Sequence, residues 1–184
     1  MVCDGLMIDL ETFGGAPDGS IASIGAAAFN YGGGLVLGTF YVNTLASGRR
    51  LEERTVRWWL GQGQEAREAL LKPKPVALKE GLNGLQQFIQ AHRPKTVWAN
   101  GVMFDLVILR DAYAMVRPDT QYVPWAYKQE MCLRPIREVG RLVGLAYSDF
   151  KGGSEKGYHN ALDDALFQIE YLVAVLAKVQ DGRT

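Results

Sequence analysis

The stretch Leu6-Met7-Ile8-Asp9-Leu10-Glu11-Thr12 places two carboxylates on a short, otherwise apolar run. An apolar run of this length predicts a buried β-strand. Side chains two residues apart on a strand point to the same face, so Asp9 and Glu11 are directed at one place. Two carboxylates that close repel each other unless one is protonated or a cation lies between them. The alternative interpretation is a strand end that runs into the turn Phe13-Gly14-Gly15.

A second acid, Asp105, also lies among apolar residues. The pattern predicts a buried strand at 96–100, a turn at Gly101 and a helix that begins near Asp105. Acids are favoured at helix N-termini by the helix macrodipole, and this is the alternative explanation of Asp105. That explanation does not account for its apolar neighbours Phe104 and Leu106.

The third acidic segment is His159-Asn160-Ala161-Leu162-Asp163-Asp164. Apolar residues at helical spacing predict a helix that starts near Asn160 and carries Asp164 in its first turns. His159 lies just outside that helix, where a lone histidine often has no role. Asp163 is interpreted as a solvated neighbour and not as a ligand.

Together the three segments resemble the DEDD 3′–5′ exonucleases of the RNase H-like fold, in the DEDDh branch. That family has Asp-x-Glu on its first strand, Phe-Asp at a helix start and His-x-x-x-x-Asp as its third motif. Asp9-Leu10-Glu11, Phe104-Asp105 and His159 with Asp164 match these motifs in type, order and rough spacing. The resemblance extends over almost the whole chain.

The resemblance implies a metal-dependent 3′–5′ exonuclease that acts on the 3′ ends of single-stranded DNA or RNA and releases nucleoside 5′-monophosphates. It implies two divalent ions, Mg²⁺ or Mn²⁺, as cofactors. By resemblance, Asp9 bridges both ions, Glu11 and Asp164 complete the ion on the nucleophile side, and Asp105 serves the second ion. His159 is then the general base, a role that histidine chemistry suits near neutral pH.

Within that family, the chain is most similar to the subgroup that contains phage exonuclease A and a mycobacterial exoribonuclease-like domain. The segment Thr55-Val56-Arg57-Trp58-Trp59, with the Gln64-Glu65-Ala66-Arg67 that follows it, resembles the tryptophan-pair segment of that subgroup. Residues 101–105 resemble its second motif. The chain departs from the wider family at Gly101, where an asparagine is common, because Asn100 lies one step earlier.

Three residues beside the motifs are candidate substrate contacts. Phe13 either stacks beside the terminal bases or packs as a turn residue. Thr12 offers its amide or hydroxyl to the terminal sugar. Phe104 directly precedes the second-motif aspartate and is assigned to substrate as well.

Two further groups add candidate contacts. Trp58 and Trp59 point about 100° apart on a helix, so either both pack, each in its own environment, or one fills the core and the other covers the cleft rim. We assign Trp59 to substrate. Arg134, Arg137 and Arg141 share one helical face, which either follows phosphates or is solvated. Arg134 is the member assigned to substrate.

The composition indicates the class of protein. The length of 184 residues suits one domain, and we expect a single 3′–5′ exonuclease domain over residues 1–184. Basic and acidic residues number 20 each, so nucleic-acid binding has to rest on local positive patches and on metals. Two distant cysteines, Cys3 and Cys132, suit free thiols in a reducing cytosol.

The sequence contains neither a long apolar run nor a signal-peptide pattern, and both features bear on the expected cellular location. No stretch is apolar enough to span a membrane, and the N-terminus lacks a charged start followed by an apolar run. We therefore expect no membrane association and a cytoplasmic protein, in the host cytoplasm if it is phage-encoded. The family resemblance leaves a monomer and a homodimer open.

The order of elements predicts an α/β protein with an RNase H-like three-layer fold, in which helices flank a central mixed five-stranded sheet. Strands are predicted at 6–11, 21–31, 35–43 and 96–100, and within 127–133. Helices are predicted at 51–71 with a break near 61–63, at 76–91, at 103–116, from 135 to 143, and from 160 onward. The glycine-rich segment 151–157 is predicted to be an active-site loop that lets His159 move.

Other functions on this fold stay open at this stage. A non-catalytic nucleic-acid-binding domain would lack one or more of the motif residues, whereas all of them are present. An endonuclease would cut internally and ignore a blocked 3′ end. An aspartyl-phosphate phosphatase would need an aspartate where Glu11 stands. The preference for DNA or RNA depends on contacts to the 2′-hydroxyl, which no residue type reveals.

Overall fold

A computed structural model describes residues 2–46, 48–118, 123–150 and 159–182. The strands are β1 (Gly5–Thr12), β2 (Ile21–Phe29), β3 (Val36–Asn43), β4 (Thr96–Ala99) and β5 (Glu130–Cys132). The helices are α1 (Glu53–Leu60), α2 (Gln64–Ala69), α3 (Leu78–His92), α4 (Asp105–Val116), α5 (Leu133–Leu142), α6 (Tyr147–Phe150) and α7 (Ala161–Asp181). A 3₁₀ helix at Tyr127–Gln129 precedes β5.

The five strands form one mixed sheet in the order β3-β2-β1-β4-β5. The central strand β1 pairs antiparallel with β2 and parallel with β4. β2 pairs antiparallel with β3, and β4 pairs parallel with β5. Because both faces of a central strand are covered, β1 needs apolar residues along nearly its whole length. The predicted α/β fold with a mixed five-stranded sheet between helices is confirmed.

Helices cover the two faces of this sheet with two separate apolar cores. Leu6, Ile8 and Leu10 of β1 pack against residues of α3 and α4. Met7 points to the opposite face, where it packs with residues of α5 and α7. Since alternate strand residues share a face, Asp9 and Glu11 continue the Met7 row and face α7.

The predicted elements differ from the structure mainly at their ends. The hairpin is present, but β2 ends at Phe29 and β3 begins at Val36, because Gly33 and Gly34 adopt positive φ angles in the turn. The long helix predicted at 51–71 is two short helices, α1 and α2, and the predicted break separates them. The short helix α6 was not predicted. The predicted active-site loop at 151–157 lies outside the described residues.

A close approach between α7 and β2 depends on Gly25. Gly25 is the residue on β2 that pairs with Asp9. A Cβ atom at Gly25 would lie 2.2 Å from the carbonyl carbon of Ala161 and 2.3 Å from the amide nitrogen of Leu162. The missing side chain therefore lets the first turn of α7 rest directly on the sheet, opposite Asp9.

Replacing Gly25 with alanine is expected to lower the free energy of unfolding by about 1–3 kcal/mol, because the added methyl group would overpack a contact between two backbone segments. Urea denaturation followed by circular dichroism measures the change. Gly32→Ala is the matched control, since a Cβ there would meet only the Asn30 side chain, at 3.9 Å. Its effect is expected within about 0.5 kcal/mol. Equal losses in the two variants would show that the contact with α7 is not the cause.

Candidate active site

The first two carboxylates lie on β1, on the face covered by α7. Glu11 is 8% exposed and Asp9 is half-buried. The residues paired with them on β2 are Ser23 and Gly25, which are both small. The space above the two carboxylates is thereby left open for groups that arrive from α7.

Asp105 reaches the same region from the start of α4. The strand β4, which pairs with β1, ends at Ala99, and the pairing extends along β1 only as far as Met7. The backbone N–H of Leu10 therefore has no strand partner on that side and donates to Asp105 Oδ1 at 3.2 Å. The Gly101 N–H faces Asp105 Oδ2 at 3.4 Å. These two donors hold a side chain that is only 4% exposed.

The helix α7 supplies the third motif. Asn160 is its N-cap, and the Asn160 side chain accepts hydrogen bonds from the N–H groups of Leu162 and Asp163. This cap fixes the helix start, so that Asp164 points to β1 and His159 lies just before the helix. The candidate ligand atoms of Glu11, His159 and Asp164 all lie within 4.8 Å of one another.

The electrostatics of the site show how closely the acids converge. Burial raises the pKa of Asp9 well above its ordinary value, and the charges of Asp105, Glu11 and Asp164 raise it further. Burial also raises the pKa of Asp105 to about 7, although the hydrogen bonds from Gly101 and Leu10 oppose this rise. Each deprotonated carboxylate therefore costs free energy in the absence of a compensating cation.

The donor set fits divalent cations. Four carboxylates offer only hard oxygen donors, which Mg²⁺ and Mn²⁺ prefer. A cation at this position would offset both the burial and the mutual repulsion that raise the pKa values of Asp9 and Asp105. The charges of the other three acids all act on Asp9. His159 is close enough to Glu11 and Asp164 to serve either as a ligand or as a base.

A cleft of about 820 Å³ opens beside these residues. Asp9, Asp164 and His159 line one part of it. Three arginines of α5, namely Arg134, Arg137 and Arg141, line another part. The cleft thus holds an acidic part and a basic part, as a site for a metal-bound anion would.

The departure from the family pattern at Gly101 has a structural reason. A Cβ atom at Gly101 would lie 3.0 Å from the guanidinium of Arg134, so an asparagine there would displace that side chain. Asn100 itself lines the cleft. Its Oδ1 atom is buried and accepts no hydrogen bond from the part of the chain that the structure describes. An acceptor is therefore present one residue earlier than in the family pattern.

The predicted substrate contacts near the first motif lie in different environments. Thr12 is 7% exposed, and its carbonyl oxygen accepts a hydrogen bond from Trp59 Nε1 at 2.9 Å. Phe13 is half-buried, with its ring edge-on to Trp59. Phe104 is half-buried and packs against the core beneath α4. Of these, Phe13 and Phe104 retain surface for a nucleotide.

The tryptophan pair divides its roles as expected, but Trp59 is the buried member. Trp59 is 3% exposed, whereas Trp58 is 44% exposed. The ring of Trp58 lies 4.6 Å from the His159 ring, and the ring of Trp59 lies 5.8 Å from it. Its burial argues against direct contact of Trp59 with substrate, and Trp58 is the member at the rim.

One residue of the site was not found from the sequence. Gln168 Nε2 donates to Asp9 Oδ1 at 2.8 Å, and the Gln168 side chain is almost fully buried. Gln168 follows Asp164 by four residues, so both lie on the same face of α7. That spacing was a usable signal, because a polar residue one turn after a candidate ligand shares its direction.

Comparison with protein families identifies the chain. The family described as the Rv2179c-like 3′–5′ exoribonuclease domain matches residues 4–176. This match agrees with the exoribonuclease-like part of the expected subgroup, while the grouping with phage exonuclease A stays a prediction. A comparison with curated protein sequences finds no match.

Solved structures share the fold at low sequence identity. The nuclease domain of 3′hExo, a DEDDh family member bound to rAMP, is 14% identical with a TM-score of 0.64, over 97% of this chain and 92% of that one. Cell-death related nuclease 4 is 14% identical with a TM-score of 0.65, over 96% of this chain and 64% of that one. E. coli exonuclease I in complex with an oligonucleotide is 20% identical with a TM-score of 0.63, over 92% of this chain and 40% of that one.

The chain therefore spans less than half of the length of exonuclease I. At such low sequence identity, these likenesses show the fold alone. No helix in the described ranges is long and apolar enough to cross a membrane. The family match, which extends from the first strand into α7, concerns the activity as well. The chain belongs to the Rv2179c-like 3′–5′ exoribonuclease domain family and is an exonuclease with the fold of the DEDDh nucleases.

Proposed function

We propose that this protein removes nucleotides from the 3′ end of single-stranded nucleic acid by a two-metal-ion reaction and releases nucleoside 5′-monophosphates. Residues 1–184 would form one exonuclease domain. The observation that carries the proposal is the convergence of Asp9, Glu11, Asp105 and Asp164 beside His159, next to a cleft that Asp9, Asp164 and His159 line.

The four carboxylates would hold two divalent ions, Mg²⁺ or Mn²⁺. When bound, such ions supply charge neutralisation at the phosphate and activation of water. Asp9 lies among the other acids and would be shared between the two ions. Asp105, held by two backbone N–H groups, would serve one of them. Glu11 and Asp164 would serve the other.

His159 would accept the proton of the attacking water. Its ring lies against Trp58 and Trp59, lines the cleft and is close to Glu11 and Asp164. A general base must lie within hydrogen-bonding reach of the proton that it removes. The position of His159 at the edge of the carboxylate cluster meets that condition for a water bound there.

The relatives support a nucleic-acid substrate. One DEDDh relative holds rAMP, and E. coli exonuclease I holds single oligonucleotides such as dT13. The family description names an exoribonuclease, which favours RNA. Phe13, Phe104 and Arg134 would contact the terminal nucleotides.

A 5′-labelled single strand should give a descending ladder in the presence of Mn²⁺, because hydrolysis starts at the 3′ end. Matched RNA and DNA strands, with and without a 3′-phosphate, test polarity and sugar preference in one gel. The 3′-phosphate should block degradation. Internal cuts, or insensitivity to the block, would favour an endonuclease instead.

The control for this experiment is a pair of neighbours on α7. Asp164→Asn should abolish the ladder, since it removes a ligand, and Asp163→Asn should leave it intact, since Asp163 is exposed. A ladder that survives in Asp164→Asn would remove Asp164 from the ligand set.

The variant His159→Ala is expected to lower kcat by about 10²–10⁴-fold, the usual contribution of a general base. Its Mn²⁺ affinity, measured by isothermal titration calorimetry, should stay within a factor of about three of the wild-type value. A large loss of Mn²⁺ affinity would instead make His159 a ligand, which its distance from Glu11 and Asp164 also permits.

The metal-free protein should lose stability as pH rises from about 4 to about 7. An aspartate in the unfolded chain titrates near pH 4, whereas burial raises the pKa of Asp105 to about 7. The folded state therefore binds more protons in this interval, and the free energy of unfolding falls as they are lost. Urea denaturation with a chelator measures this slope.

Asp105→Asn should flatten the slope, while Asp163→Asn should not. Mn²⁺ at a hundredfold excess over its Kd should restore about 2.7 kcal/mol above pH 7. The same slope in wild type and Asp105→Asn would mean that Asp105 does not titrate in this interval.

A further inference from the structure

The arginines of α5 that line the cleft differ in whether they form an ion pair. Arg141 is paired with Glu138 on the same helix, at 2.7 Å between Nη2 and Oε1. Arg134 and Arg137 form no ion pair with any residue in the described ranges of the chain. Two guanidinium groups that form no ion pair with the described residues thus line the same cleft as Asp9 and Asp164.

Both side chains are held in place by uncharged neighbours. The Arg137 guanidinium carbon lies 4.0 Å from the centre of the Tyr147 ring, within cation–π distance. Arg134 lies against Gly101, where the missing Cβ atom makes room for its guanidinium. Its charge also lowers the pKa of Asp105. Contacts of this kind orient a guanidinium but leave its N–H groups available for an anion.

The polarity of the proposed reaction determines which phosphates of the substrate strand these arginines can contact. In a 3′–5′ exonuclease, one nucleotide lies on the 3′ side of the scissile phosphate, and that phosphate leaves with it. Every other phosphate of the strand lies on the 5′ side. Arg134 and Arg137 are three residues apart on α5, about 4.5 Å along the helix axis, which is close to the spacing of one phosphate from the next.

We propose that Arg134 and Arg137 bind the backbone phosphates immediately 5′ of the scissile phosphate. This inference rests on the proposed exonuclease function and deepens it. It makes the substrate a strand with at least one phosphodiester beyond the one that is cut. It also accounts for nucleic-acid binding by a chain with no net charge, because two guanidinium groups in a cleft act locally.

The test compares a substrate that has phosphates 5′ of the scissile phosphate with a substrate that has none. One is a 5′-labelled single-stranded oligonucleotide, and the other is thymidine 5′-(p-nitrophenyl phosphate), which has a single phosphodiester. Arg134→Gln and Arg137→Gln should each lower kcat/KM for the oligonucleotide by about ten- to a hundredfold, the range for a lost charge-assisted hydrogen bond. Arg137→Gln should change kcat/KM for the nitrophenyl ester by less than about threefold. The retained ester activity also shows that the variant is folded.

Salt dependence provides a second readout. Each phosphate contact contributes about 0.7 to the slope of log kcat/KM against log salt for a single strand, so each variant should reduce that slope by about 0.7. Lys79→Gln is the matched charge control, because Lys79 is exposed on α3, on the opposite face of the sheet. It should change neither kcat/KM nor the slope.

The outcomes separate this inference from the proposed function. If wild type degrades the oligonucleotide but neither arginine variant is impaired, the inference is wrong and the exonuclease function stands. Equal losses on both substrates in Arg137→Gln would assign that arginine to the scissile phosphate, which also overturns it. If wild type cleaves neither substrate, the proposed function itself fails.

Discussion

The mutual repulsion of carboxylates held beside a buried strand is the constraint on which this structure depends. Burial is the largest cause of the raised pKa of Asp9, and the charges of three neighbouring acids raise it further. A protein under no functional demand would replace such a cluster with apolar residues, because burying unpaired charges costs several kcal/mol per ion. The cluster is therefore what the proposed cation site requires, because bound divalent ions would offset this cost.

The scaffold lowers that cost mainly with neutral hydrogen-bond donors, to which the charge of Arg134 adds at Asp105. Gln168 donates to Asp9, and the N–H groups of Leu10 and Gly101 face Asp105. A lysine or arginine in contact would neutralise the same carboxylates, but it would also compete with a metal for them. Amide donors orient a carboxylate and leave it negative, which is the usual role of groups that surround metal ligands.

How much of this could be predicted from the sequence depends on the range of each interaction. The strand with Asp9 and the helix with Asp164 were predicted because periodicity and caps are local signals. The burial of Trp59 was not, since adjacent helix residues look alike until the packing partner of the helix is known. Gln168 was missed for a related reason, because its partner lies 159 residues away. The role of Gly25 required knowing that α7 lies on β2.

The same distinction explains why the net charge of the chain says little about its ligand. Twenty acidic and twenty basic residues give the chain a net charge of zero. Within the cleft, however, carboxylates lie toward β1 and arginines lie on α5. Fields inside a partly desolvated cleft act over a few ångströms and are weakly screened, whereas the summed charge acts only at long range. An anion that carries its own divalent cations satisfies both parts of such a cleft at once. A bare anion would be repelled by the carboxylates, and a bare cation would gain nothing from the arginines.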